Sequence, residues 1–340
     1  MLKELHEKIK NIFPKVVAIR RHIHLNPELS FQEFETSAYI QQKLVELNMP
    51  FKVVANTGVV AVLTGEKAMS NDIIVLRADI DALPIHEQNK VSYKSRNEGV
   101  MHACGHDFHT ANLLGAASIL NAYKAEFSGK IVFLFQPAEE KIPGGAIQVL
   151  ESGILESFGG TIKAVLGLHV SPRVALGKVG LRSGRFMASS DEFYFTIKGR
   201  GGHAAEPHRA IDPIMIGAQL LTTLQQIVSR KANPDVPSVL TFGRFIGDGA
   251  ANVIPEEVKL AGTFRTMDEV WRREALATVA EIAATLPMSL GAEVDVEVRH
   301  GYPALYNDPT LTQKVKAIIA DTMGADVPQE LDIWMAAEDF

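Results

Sequence analysis

KIVFLFQPAEE (130–140) is a run of apolar residues that ends in two adjacent carboxylates, Glu139 and Glu140. Between Lys130 and Gln136 apolar and polar residues do not alternate, so the segment reads as a strand covered on both faces. Strands of that kind belong to sheets sandwiched between helices. The neighbouring segments extend the pattern. VVAVLTG (59–65) and IIVLRAD (73–79) read as strands, TANLLGAASILNAYKA (110–125) as a helix, and IKAVLGLH (162–169) as another buried strand. A short helix is expected after Pro143. Within the first 50 residues Leu2, Ile9, Ile12, Val16, Ile19 and Ile23, then Tyr39, Ile40, Leu44 and Leu47, keep helical spacing. Short apolar strands alternating with helices predict an α/β fold with a largely parallel sheet.

The pattern changes near residue 183. FYFTIKG (193–199) alternates as a half-buried strand does. A helix over 211–230, strands over 238–246 and 257–265, a helix over about 268–287 and a strand at EVDVEVR (293–299) follow. The order β-α-β-β-α-β is that of a ferredoxin-like unit. The expected organisation is a first domain of residues 1–183 and 301–340, resumed by a helix over about 308–323, with a second domain of 184–300 inserted into it. A chain of 340 residues is also long for a single core.

Composition narrows the function. The chain is 46% hydrophobic and 22% charged with a formal net charge of -6, so neither nucleic acid nor an anionic membrane is an expected partner. A single cysteine, Cys104, excludes an intrachain disulfide and suits a reducing compartment. MLKELHEKIKNIF (1–13) lacks the apolar core of a secretory signal, and no stretch approaches the roughly 20 apolar residues of a membrane span. A cytoplasmic protein is expected.

The chemistry-bearing residues gather at the ends of the expected strands. MHACGHDFHTANLLGAA (101–117) puts one thiol and three imidazoles within eight residues, just before the helix. In an extended loop Cys104 and His106 face one side, and thiolate with imidazole suits zinc and similar ions. Incidental loop histidines beside a buried cysteine would leave the same letters. Glu139 and Glu140 stand where a strand leaves the sheet, the end at which open α/β sheets place their sites. One carboxylate there is suited to binding metal and the other to moving protons. A solvated pair opening the next helix is the plain alternative. VLGLH (165–169) ends in His169, and LRADIDALP (76–84) ends in Asp79 and Asp81, where a carboxylate could fix a ligand imidazole's tautomer. Each is weak singly, but together they bring Cys, His, Glu and Asp to one sheet edge, which core packing does not explain. In the inserted domain, KGRGGHAAEPHRAIDP (198–213) presents His203 after a glycine-rich turn, and Asn252 and Arg265 are further polar positions. An arginine at a strand end is suited to clamping a carboxylate. A turn histidine and an exposed salt-bridge arginine are the alternatives.

Several of these segments resemble the M20 metallopeptidase and amidohydrolase clan, in the branch of hippurate hydrolases, N-acetyl-diaminopimelate deacetylases and plant auxin-conjugate hydrolases. They are RRHIHLNPELSFQEFET, ADIDALPI, MHACGHDFHT, FLFQPAEE, GLHV, GGHAAEPHRAIDPI, NVIPEEVKLAGTFRT and MAAEDF, in the family's order from residue 20 onward. The resemblance implies a zinc-exopeptidase-like catalytic domain, with a mixed, mostly parallel sheet, and a ferredoxin-like lid that is also the dimer surface. It implies two divalent ions per subunit (zinc, manganese, nickel or cobalt) held by Cys104, His106, Glu140 and His169, with Cys104 placed to bridge them. Glu139 resembles the general base. Asp79 resembles the supporting active-site acid, with Asp81 beside it. His203 resembles a lid histidine that reaches a partner subunit's site and stabilises the oxyanion, and Asn252 and Arg265 look like lid residues that hold the substrate's carboxylate.

The implied activity is metal-dependent hydrolysis of N-acyl amino acids by a homodimer. A dipeptide exopeptidase and an inactive dimeric binding protein are the rivals. Family chains continue some tens of residues past the EDF element, through a last ligand histidine, whereas this sequence stops at Phe340. A truncated chain or an incomplete second metal site is therefore expected.

Overall fold

The computed structural model describes residues 2–340, which divide into two compact units. One runs through Val179 and takes in Lys316–Gln329 and Asp339–Phe340; the other comprises Gly180–Val315 and Glu330–Glu338. The second unit thus reaches beyond 184–300 on both sides.

The first unit is built on helices α1 (Leu2–Leu25) and α2 (Phe34–Glu46), strands β1 (Phe51–Val54), β2 (Gly58–Thr64) and β3 (Asp72–Asp79), helix α3 (His106–Ala122), strand β4 (Lys130–Gln136), helix α4 (Gly145–Glu151) and strand β5 (Thr161–Gly167). Its sheet has the order β1-β2-β4-β3-β5. The pairs β3–β4 and β3–β5 are parallel, while β1–β2 and β2–β4 are antiparallel, so the sheet is evenly mixed. The antiparallel half comes from a hairpin whose first strand, β1, had no clear signature of its own.

β4 shows why both-face burial was legible. Phe133 and Phe135 enter the core with Ile40 and Leu44 of α2 and Leu113 and Leu114 of α3, whereas Val132 and Leu134 enter a second core with Val149 of α4. Each such side chain contributes about 1.5–3 kcal/mol by leaving water. α1 packs closely on α3 at Gly115, where a Cβ would lie 2.8 Å from Val16 Cγ2.

β5 departs from expectation. It is an edge strand paired with β3, and Ile162, Val165 and Leu168 are exposed. An apolar sequence matches a buried strand and an edge strand equally, because neighbours and not letters decide burial.

The second unit contains β6 (Asp191–Lys198), α5 (Pro213–Gln226), β7 (Ser238–Ile246), β8 (Glu257–Thr266), α6 (Glu269–Ser289) and β9 (Glu293–His300). The antiparallel sheet order β7-β8-β6-β9 is the ferredoxin-like arrangement. Alternation works as expected here: Phe193, Phe195 and Ile197 of β6 point into a core with Leu220 and Leu224 of α5 and Val279 of α6. Both helices start on aspartate caps. Asp212 accepts from Ile214 N and Met215 N, and Asp268 from Val270 N and Trp271 N. Helix α5 runs on directly into a π-helical turn over Ile227–Lys231, so the helical segment ends within a residue of the expected 230.

Candidate active site and metal centre

Parallel pairing of β3 with β4 and β5 brings three strand exits to one edge of the first unit's sheet. Asp79 lies level with Gln136, and Arg77 with Gly167. Asp79 and Asp81, Glu139 and Glu140, and His169 all follow from those exits. α3 starts at the same edge and supplies His106 and His109. The two imidazoles were expected in a loop, but the helix begins at His106 because Gly105, at φ +94°, turns the chain into it. Cys104 remains in the preceding loop.

The polar contacts around these residues decide which atoms remain available. His106 is fully buried, and its Nδ1 hydrogen-bonds Asp81 Oδ1 at 3.1 Å, so Nε2 is the nitrogen that faces the site. His169 donates from Nδ1 to the Val170 carbonyl at 2.6 Å, and its Nε2 lies 3.3 Å from Cys104 Sγ. Asp81 also accepts from Ser30 Oγ (2.6 Å) and Glu140 N (3.0 Å) through Oδ2. Burial alone would raise the Asp81 carboxyl, yet His106 and these donors hold it below the usual range.

Asp79 serves a different imidazole. Its Oδ1 accepts from His109 Nδ1 at 2.6 Å and its Oδ2 from Arg77 Nη1 at 2.8 Å. Burial opposes its ionisation, but Arg77, His106 and His109 outweigh burial and keep it ionised. The acid that orients His106 is therefore Asp81. His109 is spent structurally, since its Nε2 accepts from Val170 N at 2.9 Å.

Two buried atoms have no hydrogen-bond partner here: His106 Nε2 and Glu140 Oε1. They face each other across 3.8 Å. Glu139 is also buried, with Oε2 4.0 Å from His106 Nε2. Burial raises the Glu140 carboxyl despite His106 beside it. Ligand atoms of Cys104, His106 and His169 lie within 4.8 Å of one another, as do those of His106, Glu139 and Glu140. Buried groups of this polarity left without partners are costly unless a cation completes them. The donor set of thiolate, imidazole and carboxylate suits zinc-like ions, and both imidazoles have Nδ1 engaged elsewhere and Nε2 turned toward the cluster. The residues present therefore fit a divalent metal.

In the second unit His203 pairs with Val253 in a short ribbon, Gly202–His203 with Val253–Ile254. Asn252 is drawn to the same place, its carbonyl accepting from Ala204 N at 3.0 Å. His203 is exposed. Arg265 is not brought to them. It lies near the far end of β8, roughly 26 Å of strand from Glu257 at the ribbon's side, and donates to the Met335 carbonyl.

Residues 75–340 match the peptidase family M20/M25/M40. The chain belongs to that family. Within M20 it stands in the amidohydrolase branch. It is 44% identical over 303 residues to the N-acetyl-L-cysteine deacetylase of Bacillus subtilis, covering 89% of this chain and 71% of the relative. It is 41% identical over 310 residues to the N-acyl-L-amino acid amidohydrolase of Geobacillus stearothermophilus, covering 90% of this chain and 81% of the relative. The solved structure of the Bacillus subtilis YXEP protein, described as a dinuclear metal binding peptidase from the M20 family, superposes with a TM-score of 0.79 at 34% identity. It covers 97% of this chain and 85% of that one.

The site also holds several residues that spacing did not single out. Arg77 is an arginine inside the apolar strand β3, and its guanidinium joins Asp79, Gln136 and Asp339. A cation in an otherwise apolar strand was the available signal. Ser30 and His109 lay in quoted motifs but carried no distinguishing spacing.

Proposed function

We propose that the protein is a metal-dependent amidohydrolase that splits the amide bond of N-acyl amino acids, giving a carboxylic acid and a free amino acid. The observation that carries this is the pair of unpartnered buried atoms, His106 Nε2 and Glu140 Oε1, 3.8 Å apart and flanked by Cys104, His169 and Glu139. Two relatives named for deacetylase and amidohydrolase activity on N-acyl amino acids support the substrate class.

Cys104, His106, Glu140 and His169 would hold two divalent ions in this reading, drawn from zinc, manganese, nickel or cobalt. When bound, such ions polarise the amide carbonyl and lower the pKa of water toward about 7. Glu139 takes a proton from the attacking water as its oxygen bonds to the carbonyl carbon. The same carboxyl returns that proton to the nitrogen as the C–N bond breaks. Asp81 keeps the His106 imidazole in its ligating tautomer, and Asp79 with Arg77 fixes the floor beneath it. A cytoplasmic setting, which keeps Cys104 reduced, completes the reading. A panel of N-acetyl amino acids, N-benzoyl amino acids and dipeptides tests it. Release of free amino acid from the N-acyl compounds, at rates above those for dipeptides, is expected. Cleavage of dipeptides alone would replace this function with that of an exopeptidase.

The lid, about 184–300, is proposed as a homodimer surface. His203 and Asn252 sit on one ribbon, and Arg265 lies too far along β8 for one small substrate to touch all three. In this reading Arg265 holds the substrate carboxylate from another part of the lid, and His203 serves the partner's site, at the oxyanion. Mixing His203→Ala with Glu139→Gln subunits, each inactive as a homodimer, should restore activity, at about a quarter of the wild-type level for random exchange in a two-fold dimer. No recovery after demonstrated subunit exchange would confine His203 to its own chain.

A further inference from the structure

The segment NPELSFQEFET (26–36) lies outside the metal-ligand set, yet it holds the turn that carries Glu139 and Glu140. Glu33 occupies the N-cap position of α2, but its side chain does not cap that helix. Glu28 does so instead, accepting from Glu35 N, Thr36 N and Thr36 Oγ1. The Glu33 carboxylate, fully buried, turns toward the site. Its Oε1 accepts from Ala138 N at 2.8 Å and from Phe31 N at 3.0 Å, and its Oε2 accepts from Thr57 Oγ1 at 2.7 Å.

These donors share a backbone feature. Phe31 and Ala138 are non-glycine residues with positive φ, at +67° and +51°, and Thr57 follows two more, Ala55 and Asn56. L-residues adopt that region reluctantly and keep it where surrounding contacts over-determine it. At Ala138 the conformation aims the next two residues, Glu139 and Glu140, into the site. The Glu140 amide completes the clamp by donating to Asp81 Oδ2, which Ser30 also holds.

We propose that Glu33 is a positioning residue whose reach to Ala138 N keeps the 137–140 turn in its strained conformation and so aligns Glu139 and Glu140. The proposal rests on the roles assigned to those two glutamates. What matters in it is the length of the side chain, not its charge. Glutamine keeps an oxygen for Ala138 N and Phe31 N, and the Thr57 hydroxyl rotates to accept from the amide. Aspartate keeps the charge but is shorter by one bond, about 1.5 Å, and loses Ala138 N.

The test compares Glu33→Gln, Glu33→Asp and Glu33→Asp with Ala138→Gly, each checked for native circular dichroism. Two readouts are taken: kcat and KM for an N-acetyl amino acid, and zinc affinity of the chelator-treated protein by competition titration. Glu33→Gln should retain most turnover and zinc affinity. Glu33→Asp should lose at least about tenfold in kcat and in zinc affinity with KM little changed, within the range by which residues behind metal ligands act. Ala138→Gly, which makes the left-handed conformation easy, should recover much of that loss. The proposal is overturned if a folded Glu33→Gln is impaired as much as Glu33→Asp, if Glu33→Asp matches wild type, or if Ala138→Gly recovers nothing. Should Glu33→Asp not fold, Glu33→Ala with and without Ala138→Gly takes its place. Glu140→Ala is run beside them. If it leaves zinc binding unchanged, the ligand assignment fails, and turnover of the Glu33 variants still decides the positioning role.

Discussion

Glu139→Gln is expected to lower kcat by about 10²- to 10⁴-fold while leaving bound metal unchanged. Glu139 is buried at the β4 exit, and its Oε2 lies as near to His106 Nε2 as the outer limit of an ion pair, 4.0 Å. A group in that place is close enough to reach a water or a departing nitrogen at the metal centre. It is not needed to complete the ligand set that Cys104, His106, Glu140 and His169 supply. Glutamine preserves shape and hydrogen bonding but cannot accept and return a proton at neutral pH. Elemental analysis beside steady-state kinetics checks both halves. A variant with near-normal kcat would remove Glu139 from the base role, and one with less metal would make it a ligand.

His106→Ala should have the second large effect, abolishing turnover by emptying the metal centre. His106 is the residue common to the thiolate-imidazole group and to the carboxylate group, so its loss breaks both. Removing an acid that merely orients a ligand typically costs 10- to 100-fold in metal affinity. On that scale Asp81→Asn, which disturbs the hydrogen bond to His106 Nδ1, should weaken zinc binding by about 10- to 100-fold, and His106→Ala by more. Competition titration with a chelating indicator ranks the two. Equal affinities in His106→Ala and wild type would show that the imidazole is not a ligand.

The comparison of these two residues shows what was legible in the letters. Side-chain period and strand exits suffice to place Glu139, Glu140, Asp79, Asp81 and His169 on one edge, because parallel pairing follows from apolar strands alternating with helices. In the second unit, alternation at Phe193, Phe195 and Ile197 marks the buried face correctly. The sequence does not reveal which carboxylate holds which imidazole, since Asp79 and Asp81 are two residues apart and both face the site. Only the tertiary contacts assign Asp81 to His106 and Asp79 to His109. Glu33 illustrates the same limit. A glutamate before a helix reads as a cap, and nothing local says that its side chain reaches 105 residues along the chain to Ala138. β5 fails for a related reason, because burial depends on what lies beside a strand, and Val165 and Ile162 are exposed on an edge.

The central claim is that the Cys104, His106, Glu140 and His169 cluster binds divalent ions and that hydrolysis depends on them. Its most direct test is to strip the protein with a chelator, return zinc or manganese in steps, and follow bound metal and release of amino acid from an N-acyl substrate in the same samples. Both are expected to rise together and to level at the same metal content. Full hydrolysis by the metal-free protein, or bound metal with no hydrolysis of any N-acyl amino acid, would contradict it.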